Sequence, residues 1–366
     1  MTHTAAGSTG GSDGGTAPGA GRDAAPAPRT APAASARPLA EEYDTALLDL
    51  DGVVYAGPHA VDHAVEALEA ARRAGMRLAY VTNNASRPPQ AVADHLTELG
   101  VPAEASEVVT SAQAAARLVA EKVPAGSAVL VVGGRGLEEA LEERGLRPVR
   151  SLDDGPAAVV QGYDPSVGWQ HLAEAAYAVA RGLPWVASNT DLTIPTARGT
   201  APGNGTLVAA VRTATGTEPE VAGKPLPPMH RETVIRTGAE RPLVVGDRLD
   251  TDIEGAANGG VDSLLVLTGV TTAAQLLAAP PVHRPTYVAA DLRALLTAQP
   301  EVSSEAGGAY RCGGWTASVG GDGRLRLDGG GDPYDGLRAL CAAAWTAADG
   351  GADAPDGRKA LADLGL

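Results

Sequence analysis

Short apolar runs alternate with longer segments of helical periodicity along most of the chain. The runs Thr45–Leu50 and Arg77–Val81 have the length of a strand and little polarity, which is typical of strands buried in a parallel sheet. Apolar positions three and four residues apart predict helices over Ala60–Ala74, Pro88–Leu99 and Ser111–Val123. Alternating strands and helices predict a parallel sheet connected by crossover helices.

Two further series of predicted strands and helices follow the first. The second series covers Ser127–Val132, Leu137–Arg144, Ala157–Gln161, Trp169–Ala180, Trp185–Ala187 and Gly205–Thr213. The third series covers Pro242–Val245, Thr251–Asn258, Ser263–Leu267, Tyr287–Ala289 and Leu292–Thr297. We interpret the first and third series as one doubly wound α/β core, split by an insert of about 90–100 residues.

Both ends of the chain differ in texture from this α/β region. Residues 1–40 are rich in Ala, Gly and Pro, so they cannot bury enough apolar surface to offset their ordering entropy, and we predict disorder. A transit peptide is the alternative, and the acidic residues Asp13 and Asp23 argue against it. Residues 300–366 predict a small α+β appendage without readable chemistry. Its hairpin pairs Tyr310–Val319 with Arg324–Leu327, and its helix spans Leu337–Ala348.

Composition narrows the class of protein. The 366 residues include no Phe and only 3% aromatic residues, so the core must be built from Ala, Val and Leu. A net charge of −15 argues against a nucleic-acid partner, because phosphate backbones are bound by basic surfaces. No apolar run is long enough for a membrane span, and no secretory signal is visible. Only two cysteines are present, which excludes a disulfide framework. We predict a cytoplasmic α/β protein.

The sharpest motif is an acid pair directly after the first predicted strand. Asp49 and Asp51 lie two residues apart, so their side chains point the same way while the chain stays extended. The carboxyl end of a parallel strand is where open α/β sheets bind ligands. Two carboxylates this close repel each other, and a divalent cation relieves the repulsion. Gly52 permits a sharp turn there and leaves its N–H free to approach an anion.

Three more polar motifs follow later elements. Thr82, Asn83 and Asn84 end the second strand, and a hydroxyl and amides there can hold a phosphate oxygen. Lys224 stands before a proline and is one of only three lysines in the chain, which otherwise uses arginine. Another strand ends in Gly-Asp at Asp247. Two further acids follow: Asp250, a candidate helix N-cap, and Asp252.

The order of these motifs resembles the haloacid dehalogenase (HAD) superfamily of phosphohydrolases over about residues 43–298. The resemblance implies that Asp49 is the nucleophile, which forms an aspartyl-phosphate. It implies that Asp51 is the general acid and base, that the Thr82 hydroxyl holds the phosphate and that Lys224 stabilises its charge. A receiver domain also uses acids, a hydroxyl and a lysine, but it lacks so long a gap between them.

The same resemblance implies a Mg²⁺ site and a set of substrate contacts. Asp49, the backbone carbonyl of Asp51 and the Asp247 carboxylate are expected to hold the metal, with Asp252 supporting them. Residues expected to bind the substrate are Gly52, Thr82, Asn83, Asn84, Asn189, Asp191 and Lys224. Turn and capping roles are the alternative for Asn189 and Asp191.

The distances between the motifs indicate which type of cap domain the insert forms in this family. Only 33 residues separate Asp49 from Thr82, whereas 142 separate Thr82 from Lys224, which is the type-2 cap arrangement. This implies a hydrolase core of residues 41–123 and 219–298, with a cap of residues 124–218. Segments that resemble subclass IIA are VTNNASRP at 81–88, QGYDPSVGW at 161–169, PGNGTLVAA at 202–210 and AGKP at 222–225.

Subclass IIA contains 4-nitrophenyl, phosphoglycolate, glycerol-phosphate and pyridoxal-phosphate phosphatases. Resemblance to actinobacterial members favours glycerol 3-phosphate as the substrate. Pyridoxal phosphate is less favoured, because some relatives have a bulkier polar or aromatic residue that selects the substrate at the position of Ile194. Phosphoglycolate and sugar phosphates are alternative substrates, and a phosphomutase reaction is an alternative activity. A non-catalytic regulatory protein on the same scaffold is the alternative from another class. The resemblance also implies a possible homodimer through the cap.

Overall fold

The computed structural model describes residues 29–196 and 198–366. Its largest sheet has six parallel strands, and nearly every residue of them is buried. In spatial order the strands are Tyr287–Ala289, Asp262–Val266, Pro242–Gly246, Thr45–Leu48, Arg77–Thr82 and Val108–Thr110. Residues from both sides of the long insert therefore build one sheet, as the sequence predicts. Leu48 pairs with Tyr80 on one side and Val245 on the other, so their carboxyl ends meet at one edge.

A second parallel sheet of five strands is formed by the insert. Its strands, in spatial order, are Glu220–Val221, Trp185–Ala187, Ala158–Gln161, Ala128–Val132 and Arg147–Val149. The strand Glu220–Val221 lies just beyond the insert boundary expected at residue 218, because it pairs with Trp185–Ala187 before the chain returns to the first sheet. An antiparallel hairpin of Thr193–Thr196 and Gly199–Pro202 also belongs to the insert.

The helices pack on the faces of these sheets. Those of the first unit are Leu39–Glu42, Ala64–Arg73, Pro89–Glu98, Ser111–Ala120, Pro227–Thr237, Glu254–Gly259 and Ala273–Leu277. Those of the insert are Arg135–Glu143, Trp169–Ala180 and Asn204–Thr215. Helix Ser111–Ala120 buries residues in a cluster that contains side chains of both sheets, so the two units share one hydrophobic core. No helix in the described ranges is long and apolar enough to cross a membrane.

The C-terminal region forms a third, antiparallel sheet. Its strands are Ser303–Glu305, Ala309–Cys312, Trp315–Val319 and Leu325–Gly329, and its helices are Pro333–Asp349 and Arg358–Leu364. The single strand predicted over Tyr310–Val319 is wrong, because Gly313 adopts a φ of 54° and turns the chain. Trp345 is fully buried and donates its indole N–H to the carbonyl of Leu276, which joins this α+β unit to the first.

Four local predictions need correction. The helix predicted from Ala60 begins at Ala64, because His59–Ala60 pairs with Tyr55–Ala56 in a small hairpin. The segment Leu292–Leu296 is a 3₁₀ helix. Asp250 does not cap a helix. Disorder over residues 1–40 is wrong for residues 29–40, where the backbone bonds the main body and Leu39 is fully buried. Residues 1–28 lie outside the described part.

A buried ion-pair cluster holds helix Pro227–Thr237 in place. The Glu232 carboxylate is fully buried and contacts Arg117, Arg144 at 2.9 Å and Arg236 at 2.6 Å. Burial alone would raise the pKa of Glu232, but hydrogen bonds and charge from the arginines hold it below its usual value. A carboxylate whose pKa is lowered in the folded state contributes stability above its unfolded pKa, and that stability is lost as the pH falls.

We expect Glu232→Gln to lower the free energy of unfolding by about 3–5 kcal/mol at pH 7, because it leaves the partly buried guanidinium groups of Arg117 and Arg144 without their counter-charge. The difference from the parent should shrink as the pH falls below about 4, where Glu232 becomes protonated in the unfolded chain, and should vanish below its lowered pKa in the folded state. Urea unfolding at both pH values measures this. Glu139→Gln is the matched control, since Glu139 pairs with an Arg135 side chain that is 71% exposed. An equal loss in both variants would contradict the prediction.

Candidate active site

Polar side chains converge at the carboxyl edge of the first sheet. Asp49 directly follows the strand Thr45–Leu48, Thr82 ends the neighbouring strand, and Asp247 directly follows Pro242–Gly246 on the other side. Because these three strands are adjacent and parallel, their ends meet at one point. This is the position at which open α/β sheets bind ligands.

Lys224 lies at the centre of this group. Its Nζ donates to Asp49 Oδ1 at 2.5 Å, to Asp252 Oδ1 at 2.8 Å and to the carbonyl of Val81 at 3.1 Å. The side chains of Lys224 and Asp49 are only 12% and 15% exposed. One ammonium therefore serves two nearly buried carboxylates. The structure brings together residues that are 175 positions apart in the sequence, as the motif order predicts.

The charges of the site raise several pKa values. Burial alone would lower the pKa of Lys224, but Asp252 and Asp49 together raise it above its usual value. Burial raises the pKa of Asp49, and the Asp252 and Asp247 charges add to this, while Lys224 opposes it. Burial, with the charge of Asp252, raises the pKa of Asp247 to about 6. A single lysine thus does not compensate all the negative charge.

This uncompensated charge fits a cation. One carboxylate oxygen each from Asp49, Asp247 and Asp252 lie within 4.8 Å of one another. Asp247 Oδ1 is buried and has no hydrogen-bond partner among the described residues, although Oδ2 accepts the Val270 N–H at 2.6 Å. Carboxylate oxygens are the ligands that Mg²⁺ prefers. The Asp51 side chain is not part of this cluster.

Gly52 makes room for the cluster. Its φ is 84°, and a Cβ at this position would lie 2.6 Å from Asp247 Oδ2. A side chain here would therefore be strained and would collide with the carboxylate. The Thr268 hydroxyl donates to the Gly52 carbonyl at 2.6 Å and fixes the turn. The expectation that its N–H stays free for an anion is wrong, because the Gly52 N–H donates to the Tyr55 carbonyl at 2.8 Å within the turn.

Asp51 lies at the mouth of the cleft, and its residue is exposed. Loss of solvation in the cleft nevertheless raises its pKa above the usual value, although the charges of Lys224 and Arg87 oppose this. A raised pKa keeps more of the acid form available near neutral pH, which suits a general acid. The side chain lines the same cavity as Asp49.

The three polar residues after the second strand have different surroundings. Thr82 is 5% exposed, and its Oγ1 accepts the Asn84 N–H at 3.1 Å, which leaves its own hydrogen for a ligand. Asn84 is exposed at the cavity, and its Oδ1 accepts from the N–H and hydroxyl of Ser86. The Asn83 side chain is instead engaged by protein groups, with Oδ1 accepting from Lys224 N and Nδ2 donating to Lys224 O.

A cavity of about 220 Å³ opens between the first sheet and the insert. Asn189 and Asp191 line it, as expected, but the Asn189 amide is used internally: Oδ1 accepts the Asp191 N–H and Nδ2 donates to Asn83 O. Burial raises the pKa of Asp191, although Arg248 opposes this.

Sequence reasoning missed several residues of this cavity. Tyr163, Arg248 and Val270 line it and were given no role. Arg248 forms a two-pronged ion pair with Asp250, at 3.0 and 2.8 Å, which replaces the expected N-cap function of that aspartate. The segment Leu249–Ile253 is a π-helical turn, and it places Asp252 beneath Lys224. Val270 follows a sheet strand by four residues, so its position at a strand end was the available signal.

The fold and this cluster of carboxylates, lysine and threonine define a class of enzyme. Two family models match the chain: haloacid dehalogenase-like hydrolase over residues 46–147 and HAD-hydrolase-like over residues 221–295. The chain belongs to the HAD-like hydrolase family and is a phosphatase of that family. A third model, a GCN5-related N-acetyltransferase like domain, matches residues 312–366. The motifs described above did not indicate this last likeness.

Individual relatives refine the family. The chain is 52% identical over 257 residues to D-glycerol 3-phosphate phosphatase of Mycobacterium tuberculosis, covering 70% of this chain and 72% of that protein. It is 38% identical to an acid sugar phosphatase of Staphylococcus aureus, covering 63% of this chain and 89% of that protein. The crystal structure of the glycerol phosphate phosphatase Rv1692 from M. tuberculosis in complex with magnesium aligns at a TM-score of 0.80 and 45% identity, covering 90% of this chain and 99% of that one.

Proposed function

We propose that this chain is a Mg²⁺-dependent phosphomonoesterase that hydrolyses glycerol 3-phosphate through an aspartyl-phosphate on Asp49. The observation that carries the proposal is the convergence of Asp49, Lys224 and two further carboxylates beneath the cavity. The site of a phosphate ester needs a nucleophile, a positive charge and a proton donor, and each has a residue here.

Asp49 supplies the nucleophile. One of its carboxylate oxygens attacks phosphorus in line, and the bond from phosphorus to the ester oxygen breaks, so the phosphoryl group moves to Asp49. Lys224 donates to Oδ1 at 2.5 Å, and its charge opposes the rise in the pKa of Asp49 that burial causes. The same ammonium and the Thr82 hydroxyl stabilise charge on the transferred group.

Asp51 moves the protons. Its carboxyl donates a proton to the leaving alkoxide, which departs as an alcohol. The resulting carboxylate then takes a proton from the water that attacks phosphorus in the aspartyl-phosphate, which frees Asp49 and releases inorganic phosphate. The raised pKa of Asp51 supports the first step, because an ordinary aspartate is almost fully ionised at neutral pH.

The residues that would hold Mg²⁺ are Asp49, Asp247 and the backbone carbonyl of Asp51, with Asp252 alongside. The unpartnered Asp247 Oδ1 supports this assignment. When bound, the cation supplies the positive charge that lets a phosphate ester approach several carboxylates. Val270 and Gly52 then act as positioning residues, the first by a hydrogen bond to Asp247 and the second by leaving space for it.

Glycerol 3-phosphate is favoured by the 52% identity to a phosphatase named for that substrate. The cavity of about 220 Å³ suits a small leaving group, and its lining includes Asp191, Tyr163 and Thr193, whose polar side chains can bond hydroxyl groups. Sugar phosphates are the second candidate, since the acid sugar phosphatase is also similar to this chain.

The test is phosphate release from a panel of esters: glycerol 3-phosphate, phosphoglycolate, pyridoxal phosphate, a sugar phosphate and 4-nitrophenyl phosphate. We expect glycerol 3-phosphate to give the highest kcat/KM, with activity lost in EDTA and restored by Mg²⁺. A preference for another natural ester would overturn the substrate and keep the chemistry. No release from any ester by folded, Mg²⁺-loaded protein would favour a mutase or a non-catalytic role.

The homodimer through the insert stays a prediction. Helix Trp169–Ala180 exposes two large aromatic side chains, Trp169 at 73% and Tyr177 at 53%, which supports a contact surface on this helix. Light scattering in solution measures the mass directly.

A further inference from the structure

Asn83 hydrogen-bonds the backbone of Lys224, whose ammonium contacts Asp49 and Asp252 in the candidate active site. Asn83 Oδ1 accepts the Lys224 N–H at 2.8 Å, and Asn83 Nδ2 donates to the Lys224 carbonyl at 3.2 Å. The amide therefore pairs with both backbone groups of one residue, as a strand partner would. Since these two bonds hold the Cα of Lys224, they also decide where its Nζ reaches.

The same asparagine is bound to the insert. Nδ2 also donates to Asp191 Oδ2 at 3.3 Å, and the Asn83 carbonyl accepts from Asn189 Nδ2 at 2.7 Å and from the Ser111 hydroxyl at 2.5 Å. Asn83 thus contacts both Lys224 and the insert segment Asn189–Asp191, which lines the cavity. Within the described chain, its side-chain oxygen and nitrogen are both committed to protein groups.

Close packing at Gly223 makes this junction tight. A Cβ on Gly223 would lie 2.6 Å from Asn83 Oδ1 and 2.6 Å from the Ser188 carbonyl of the insert. The chain before Lys224 is therefore pressed between Asn83 and the insert, without room for a side chain. Because this packing leaves no free space, we expect a small shift of the insert segment to displace Asn83 or Lys224.

We propose that Asn83 is a positioning residue that couples the insert segment Asn189–Asp191 to Lys224. Contacts of the leaving group with Asp191 then help to set the ammonium that stabilises the transferred phosphoryl group. This deepens the proposed function and rests on it, because it assumes that Lys224 acts on a phosphoryl group. Misplacement of a catalytic group by about 1 Å can cost about 100-fold in rate.

The first test is steady-state kinetics with glycerol 3-phosphate and 4-nitrophenyl phosphate. We expect Asn83→Ala to lower kcat about 10- to 100-fold, while calorimetry shows Mg²⁺ affinity changed by less than about threefold. Asp191→Ala should lower kcat less in the Asn83→Ala background than in the parent, since the link is already broken. Equal effects of Asp191→Ala in both backgrounds would overturn the coupling.

Asn258→Ala is the matched control. Like Asn83, Asn258 donates a hydrogen bond to the backbone beside Lys224, from its Nδ2 to the Pro225 carbonyl at 3.0 Å. That bond is exposed, and Asn258 lies on helix Glu254–Gly259 of the first unit and not beside the insert segment. This variant should leave both kcat and the effect of Asp191→Ala within about twofold of the parent. A loss of kcat as large as that of Asn83→Ala would mean that any loosening of the loop suffices.

Amide hydrogen exchange tests the link without turnover. Asn83→Ala should speed exchange in two segments, residues 188–193 of the insert and residues 222–226 around Lys224. Asn258→Ala should leave exchange unchanged in residues 188–193 and in the strand Arg77–Thr82. Faster exchange only in 222–226 would overturn the coupling. If the parent hydrolyses no ester, the proposed function fails, while exchange in both segments would still support the physical link.

Discussion

Asp49→Asn is expected to abolish turnover while the protein stays folded. The amide retains the size of the side chain and an oxygen that can accept from Lys224 Nζ, so the packing around it survives. It cannot attack phosphorus as a carboxylate does, because the amide oxygen is a weak nucleophile and carries no charge. We expect a loss of more than about 3 kcal/mol of transition-state stabilisation, which is over 100-fold in kcat/KM.

Phosphate release under saturating Mg²⁺ measures this loss, with thermal unfolding as the check on folding. Asp363→Asn is the matched control, since Asp363 lies far along the chain and its carboxylate bonds only the exposed Lys359 among the described residues. That variant should keep the parent's activity. Near-normal turnover by Asp49→Asn would contradict the assignment of the nucleophile.

Lys224→Met is expected to give the second largest loss. The thioether side chain fills much of the same volume, but Asp49 and Asp252 are left facing each other without the ammonium that contacts both. Charge that develops on the phosphoryl oxygens also loses one of its proposed donors. Removal of one such donor lowers kcat by about 100- to 1000-fold in other enzymes, and we expect a similar factor here.

Two measurements separate this effect from a general defect. Calorimetry should show that Lys224→Met still binds Mg²⁺, because the carboxylates remain. Lys122→Met should keep full activity, since Lys122 is an exposed lysine whose ion pair, at 2.5 Å, is with Glu220 and not with a catalytic residue. Full activity in Lys224→Met, or loss of Mg²⁺ binding without loss of folding, would contradict the role given to this lysine.

The parts of the site that the sequence predicts well are those fixed by local rules. Asp49, Thr82 and Asp247 each lie at or directly after a strand of the main sheet, and parallel strand ends meet at one edge whatever else the chain does. The Gly52 turn is also local, since a residue that must adopt a φ of 84° beside a carboxylate has to be glycine. These features need no knowledge of distant contacts.

The parts that the sequence does not predict depend on long-range contacts. Asn83 follows Thr82 in a polar turn and looks like a phosphate ligand, but its amide bonds Asp191 and Lys224, which are 108 and 141 residues away. Residues 29–40 have the composition of a disordered tail, yet Leu39 finds a place in the main core. Composition cannot reveal a surface that exists only after the rest has folded.

The most direct test of the account is to trap the phosphorylated enzyme. Asp51→Asn with 4-nitrophenyl phosphate suits this, because nitrophenolate leaves without a proton, whereas the attacking water then lacks its base. After acid quenching, mass spectrometry of the digested protein should find one added phosphoryl group, on the peptide that contains Asp49. Nitrophenolate release with no phosphorylated peptide, or with the phosphoryl group on another residue, would contradict the central claim that Asp49 is the nucleophile.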